Sequence, residues 1–195
     1  GATLTRDSAR DVLLRDDLRA FLAQRYAEHG ITKNEIEQIL HQLDGLSALD
    51  LYESNKTLQK WLADGFLLKR EDRSQKDVYI QLIDYSALPQ QRQPEASTLD
   101  IIDGTQQREQ RATYGAGNTF RLVNQLEIEG AEHTRIPDAI LYINGLPLVV
   151  FEFKSASRTN ATLHDAYVQL TTRYSRDIPE LMKYNTLCVI SDGAN

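Results

Sequence analysis

The stretch 136-IPDAILYINGLPLVVFEFKSA-156 sets Asp138, Glu152 and Lys154 inside the most hydrophobic run of the chain. Asn144-Gly145 divides it into two strand-like runs, Ala139–Ile143 and 146–154, and an Asn-Gly pair between apolar alternations is a strong hairpin signal. On an extended strand alternate side chains share a face, so Glu152 and Lys154 project together while Phe151 and Phe153 project to the other side. The expectation is one core face, carrying the phenylalanines, and one charged face.

Register decides whether Asp138 joins that charged face. With a strict two-residue loop Ile143 faces Leu146 and Asp138 faces Phe151, on the wrong side of the sheet. If Gly145 closes a three-residue loop as a left-handed bulge residue, Tyr142 faces Leu146. Asp138 then faces Val150, diagonal to Glu152 and on its side. A functional grouping therefore requires an odd-length loop or a bulge.

Two carboxylates in a partly apolar setting repel, and one tends to stay protonated unless a cation lies between them. Oxygen-only ligands suit Mg²⁺ or Mn²⁺, and Mg²⁺ commonly takes one or two carboxylates, keeps several waters and touches substrate phosphate. Lys154 would orient or help deprotonate a water, or stabilise charge developing on phosphorus. The chemistry that this suits is phosphodiester hydrolysis. The competing structural reading is an edge strand guarded by charges, with Glu152 and Lys154 paired on a solvated face.

The 195 residues, 41% of them hydrophobic, suffice for a domain with a substantial core. The formal charge of −6 argues against a protein that coats nucleic acid through general basicity. It leaves room for a local basic groove, or for an acidic site that meets phosphate through a cation. Cys188 is the only cysteine, which excludes an internal disulfide and a multi-thiolate metal site and fits a reducing cytoplasm. No continuous apolar stretch reaches membrane-spanning length. The opening Gly1-Ala2, without an initiator Met, reads as the start of a fragment of a longer protein.

Helical spacing of apolar residues predicts helices over 11–26, from the Thr32/Glu35 capping box through Leu43, and over 49–63 with Gly65 beyond. Strands are predicted at 77–85 and 119–128, and the polar span 86–118 between them reads as a long excursion. After the hairpin a helix is expected over 161–175, then a short helix at 178–184. The apolar run 186–191 suits a buried strand. The order of elements indicates an α/β or α+β fold with a mixed central sheet flanked by helices, divided into a helical region 1–70 and a core 71–195.

Pro137-Asp138, thirteen intervening residues and Glu152-Phe153-Lys154 match the PD-(D/E)xK nuclease motif. Together with "NTFRLVNQLEIEG", "AYVQL", "IPELMKYNTLCVISDG" and, more weakly, "DLYESNKTLQKWLADG", these residues resemble the N-terminal nuclease domain of the restriction (R) subunit of type I restriction–modification enzymes. The resemblance implies a restriction-endonuclease-like PD-(D/E)xK core. It implies Mg²⁺-dependent cleavage of double-stranded DNA, the activity of a type I site-specific deoxyribonuclease. Asp138, Glu152 and Lys154 would be the catalytic trio. Asp138, Glu152 and the backbone carbonyl of Phe153 would be the metal ligands.

It further implies methylase and specificity subunits as partners, and ATP-driven motor domains in the full-length chain. This chain has no G-x-x-x-x-G-K-[ST] phosphate loop and is expected to end where that motor begins. ATP thus belongs to the full-length parent only. The second reading is a catalytically silent nuclease-fold module that binds DNA or couples to the motor and methylase subunits.

The family also carries a Gln followed four residues later by a Tyr on the helix after the hairpin. Here Gln169 is followed by Tyr174, five residues on, with Arg173 at the expected place. Four residues return to the same face of an α-helix and five overshoot it by roughly 100°. Joint action of Gln169 and Tyr174 therefore requires a local helix distortion, or a substituted role for Arg173. Asp16, Asp17, Glu35 and Glu37 are candidates for a further acidic ligand from an upstream helix, beside the plainer reading of solvated helix faces. Arg135, Arg158, Arg173 and Arg176 are candidates for backbone phosphate. His29, His41, His133 and His164 show no zinc-ligand spacing.

Overall fold

Thr32 opens the second helix as the sequence pattern predicts. Its hydroxyl accepts from the Glu35 amide at 3.1 Å while the Glu35 carboxylate accepts from the Thr32 amide at 2.9 Å, so two otherwise orphaned helix-start donors are satisfied reciprocally. In this computed structural model, which describes residues 6–86, 117–153 and 163–191 and the backbone of 110–112, that helix is α2 (Lys33–Asp44). It follows α1 (Arg15–Arg25) and a 3₁₀ turn at Ala27–His29, and precedes α3 (Leu51–Asp64), which Asp50 caps through the Glu53 amide. Gly65 beyond α3 has a φ of 74°, and a Cβ there would lie 2.4 Å from the Ile80 carbonyl. Only glycine fits this junction.

Strands β1 (Phe66–Leu68) and β2 (Val78–Ile80) pair antiparallel as a small separate sheet. The predicted strand 77–85 thus contracts to three residues, and β1 carries no alternation long enough to have marked it. Strand β3 (Gln110–Ala112) lies within the predicted excursion 86–118 and pairs with β4 (Phe120–Asn124). That part of the span is therefore sheet edge rather than loop, while 87–109 and 113–116 lie outside the described residues. Two-residue strands β5 (Ile128–Glu129) and β6 (Thr134–Arg135) form a second small ribbon.

The hairpin strands β7 (Ala139–Ile143) and β8 (Leu146–Phe153) occupy the middle of a five-stranded sheet of order β3-β4-β7-β8-β9. Strand β9 (Leu187–Ser191) runs parallel to β8 and all other neighbours are antiparallel. A parallel neighbour requires a crossover. It contains α4 (Leu163–Val168), a π-helical turn at Gln169–Tyr174, and the short helices α5 (Ser175–Asp177) and α6 (Pro179–Met182). The sheet is mixed and the class α+β, as the order of elements indicates.

Two expectations about burial are reversed. The face carrying Val150 and Glu152 is the interior one, with Glu152 3% exposed, whereas Phe153 on the other face is 52% exposed. The run 186–191 is an edge strand, and its Leu187 is 55% exposed rather than buried. Helix α1 covers the Glu152 side: Arg121 of β4 reaches Asp17 of α1 at 2.5 Å, and the Leu14 amide donates to Gly145 at 3.0 Å. One hydrophobic cluster runs from Val12, Leu18 and Leu22 through Ile39, Leu58 and Ile80 to Ile140, Val150, Leu170 and Tyr184. Each such fully buried aliphatic side chain contributes about 1.5–3 kcal/mol relative to exposure.

Candidate active site

The hairpin turn is a strict two-residue loop. Asn144 and Gly145 take φ of 51° and 84°, and Ile143 faces Leu146. Continued unchanged, that register would carry Asp138 to the wrong face. It does not continue: Tyr142 pairs with Pro147, but Leu141 pairs with Val149, so Leu148 is an extra residue on β8. The bulge moves every later pair by one, giving Ile140 opposite Val150 and Ala139 opposite Phe151. One step further, Asp138 stands across from Glu152 on the same face.

The shift lies in the strand rather than in the loop, and the pairing is direct rather than diagonal. Pro147 is the signal that could have located it. Proline donates nothing to a ladder and inside a sheet belongs at an edge or a bulge. The freed Leu148 carbonyl accepts from the Thr186 amide at 2.9 Å and the Thr186 hydroxyl at 2.9 Å, so the bulge leaves no unmet acceptor there.

The turn that anchors this register is buried. Asn144 is 0% exposed; its amide donates to Leu82 and to Asn118 Oδ1, each at 2.9 Å, and its carbonyl oxygen accepts from the Thr119 amide at 2.8 Å. A Cβ on Gly145 would lie 2.3 Å from the Leu14 carbonyl. The hairpin is thereby pinned to α1 at its tip and presents Asp138 and Glu152 at its open end.

Each carboxylate accepts a hydrogen bond that orients it. Asp138 Oδ2 accepts from the Phe153 amide at 2.6 Å. Glu152 Oε2 accepts from the Tyr174 hydroxyl at 2.9 Å, and that hydroxyl accepts from Gln169 Nε2 at 2.8 Å. Phe153 thus enters through its amide, a role that no sequence pattern reveals.

Gln169 and Tyr174 meet because the helix between them is π-helical. An i→i+5 ladder widens the turn, so that the fifth residue comes back within reach of the first. The five-residue spacing was itself the sign of the distortion that it needs. Burial pushes the Tyr174 hydroxyl well above the ordinary phenol range; the Gln169 hydrogen bond opposes this, and the charges of Glu152 and Asp138 add to it. Tyr174 therefore keeps its proton at neutral pH and donates a hydrogen bond to Glu152.

Lys154 and Arg158 lie outside the described residues. The upstream acids are engaged with arginines: Asp17 with Arg121, Asp16 and Glu37 with Arg19, and Glu35 with the buried Arg70 at 2.8 Å. Arg135 and Arg176 both bind Asp177, at 2.5 Å and 2.6 Å. Among the described residues no group of three or more His, Cys, Asp or Glu side chains is placed to hold a metal ion, and no helix is long and apolar enough to cross a membrane. The donor set at the hairpin mouth is two carboxylates, both hard oxygen ligands, beside the Phe153 backbone. It fits an ion such as Mg²⁺ that keeps much of its water, and not one that needs a closed protein cage.

Comparison with known proteins yields one family model, described as type I restriction enzyme R protein N terminus, which matches residues 1–195. The HindI type I restriction enzyme endonuclease subunit of Haemophilus influenzae is 35% identical over 146 residues, covering 74% of this chain and 11% of that protein. The putative MjaIXP endonuclease subunit of Methanocaldococcus jannaschii is 26% identical over 192 residues, covering 96% of this chain and 16% of its own. The SauMSSORF170P endonuclease subunit of Staphylococcus aureus is 26% identical over 184 residues, 92% of this chain and 16% of that protein. The chain thus spans only 11–16% of the length of these relatives. No solved structure matches it. The chain belongs to the family of type I restriction enzyme R protein N-terminal regions.

Proposed function

We propose that this chain is the DNA-cleaving domain of a cytoplasmic type I restriction enzyme R subunit, a PD-(D/E)xK endonuclease that hydrolyses phosphodiester bonds of double-stranded DNA with Mg²⁺. The observation that carries the reading is the strand bulge at Leu148, which sets Asp138 across from Glu152. A structural hairpin has no need to align two carboxylates on its interior face, because doing so costs desolvation and repulsion.

Asp138 and Glu152 would hold the cation, with the Phe153 carbonyl as a further oxygen donor. When bound, the ion supplies positive charge that neutralises the two carboxylates and stabilises charge developing on phosphate. The Phe153 amide donates to one oxygen of Asp138 and the Tyr174 hydroxyl to one oxygen of Glu152, and these hydrogen bonds orient the two carboxylates. Gln169 aims the Tyr174 proton by donating to its oxygen. Lys154 assists the attacking water. Hydrolysis adds the water oxygen to phosphorus, breaks one P–O ester bond and delivers a proton to the leaving oxygen. By kinship the working assembly includes methylase and specificity subunits, and ATP serves the motor of a full-length R subunit.

The test is nicking of supercoiled plasmid with Mg²⁺ or with EDTA, by this chain and by a full-length R subunit carrying it, beside Asp138→Ala and Lys154→Ala. Cleavage should need Mg²⁺ and vanish in both variants. Normal cutting by the full-length Lys154→Ala protein would show the trio to be misassigned.

A further inference from the structure

The π turn does more than recover a contact. In an α-helix one side chain, four residues on, returns beneath Gln169. The wider turn brings Tyr174 inward to Gln169, while Arg173, the preceding residue of the same turn, stays on its exposed side. Their environments are opposite: Tyr174 is fully buried against Glu152, whereas Arg173 is exposed. The Arg173 side chain makes no hydrogen bond or ion pair with any described residue.

That state is unusual for arginine in this molecule. Arg10, Arg15, Arg19, Arg25, Arg70, Arg121, Arg135 and Arg176 each bind a carboxylate, and Arg6 donates to backbone carbonyls. Among the arginines whose side chains are described, only Arg73, in the β1–β2 loop, shares the condition of Arg173. A guanidinium presents five donors in a planar fork that suits phosphate oxygens. The two carboxylates of the site would by themselves repel a polyanion, and the chain as a whole is acidic. A cation at the rim offsets that repulsion where the strand must enter.

Resting on the nuclease reading above, we propose that Arg173 binds a backbone phosphate of the DNA strand next to the Asp138–Glu152 site. The π turn lets one helical segment hold Glu152 through Tyr174 and present Arg173 to substrate at the same time. Arg173 is thus a substrate-binding residue, while Gln169 and Tyr174 are positioning residues.

The experiment is fluorescence anisotropy of a short labelled DNA duplex with this chain, with Ca²⁺ in place of Mg²⁺, over a range of salt concentrations. Arg173→Ala should weaken binding about 5- to 10-fold at low salt and reduce the slope of log affinity against log salt by about one phosphate contact. Arg173→Lys should keep most of that slope. Lys33→Ala, an equal loss of charge on α2, should leave both quantities unchanged, and Tyr174→Phe should slow cleavage in Mg²⁺ without changing the slope. If Arg173→Ala binds with the affinity and slope of the unaltered chain, the inference is overturned while the nuclease reading stands. If the unaltered chain neither binds the duplex nor nicks plasmid, both fall together.

Discussion

The Tyr174 hydroxyl donates to Glu152 Oε2 across 2.9 Å while receiving a hydrogen bond from Gln169. The chain Gln169–Tyr174–Glu152 has a fixed direction, because the amide can only donate and the phenol, held above its usual range chiefly by burial, keeps its proton. Tyr174→Phe removes the donor and little volume. With Glu152 as the proposed metal ligand, cleavage should fall about 10- to 100-fold, the usual penalty for losing a group that orients such a ligand. The defect should appear largely as a higher Mg²⁺ requirement, read from nicking rates over a Mg²⁺ titration.

Binding of a divalent ion is also visible without catalysis. An ion that binds only the folded protein raises its stability by about 1.4 kcal/mol at tenfold its Kd, or about 3–6 °C in Tm for a chain of this size. Scanning calorimetry should show that shift for the unaltered chain on adding Mg²⁺. Glu152→Gln should abolish it, because the amide keeps an acceptor for the Tyr174 hydroxyl but offers no charge to the ion. An equal Mg²⁺ shift in Glu152→Gln would remove Glu152 from the metal site.

The helices, the hairpin and the α+β class are legible in the sequence because local chemistry dictates them. Thr32 and Glu35 cap a helix whatever surrounds them, and Asn144-Gly145 permits the paired positive φ values of a tight turn. What was not legible is tertiary. Alternation shows that Glu152 and Phe153 face opposite ways but not which face is covered, and that was settled by α1 and the π turn packing on the Glu152 side. Strand β9 reads as buried by composition, yet it is a sheet edge, because nothing local says how many neighbours a strand will have. Pro147 and the five-residue Gln169–Tyr174 spacing each marked an irregularity, and both irregularities serve the same pair of side chains.

Asn144 ties the hairpin tip to two other segments of the chain, at Leu82 and at Asn118–Thr119. Asn144→Ala strips two donors from buried acceptors, strands the Thr119 amide, and places a less tolerant residue at a φ of 51°. The expected loss is about 2–4 kcal/mol, measured as a lower urea midpoint with an unchanged m-value. An effect under about 0.5 kcal/mol would mean that the tip does not anchor the register.

Tyr142 presents the opposite case. It lies two residues before Asn144 with its hydroxyl buried and no hydrogen-bond partner, and burial raises its pKa beyond the ordinary phenol range. Removing an unsatisfied buried hydroxyl costs nothing in lost partners. Tyr142→Phe should leave the urea midpoint unchanged or raise stability by up to about 1 kcal/mol, and a clear destabilisation would reveal a partner for that oxygen.

Asp177 links stability to pH. Hydrogen bonds from Arg176 and Arg135, opposed by partial desolvation, hold its carboxyl far below the usual aspartate range. A folded-state pKa below the unfolded value means that the contribution is complete above about pH 4, the unfolded value, and fades as pH falls from there towards the folded one. Urea melts of the unaltered chain and Asp177→Asn should therefore differ most at neutral pH and converge steadily as the buffer is taken from about pH 4 towards pH 2. Arg135 lies three residues before Asp138, so loosening this clamp also frees the segment that leads into the site. The neutral-pH variant should accordingly show faster hydrogen exchange at residues 134–138. A gap between the two proteins that widened on acidification would contradict the sign of the linkage.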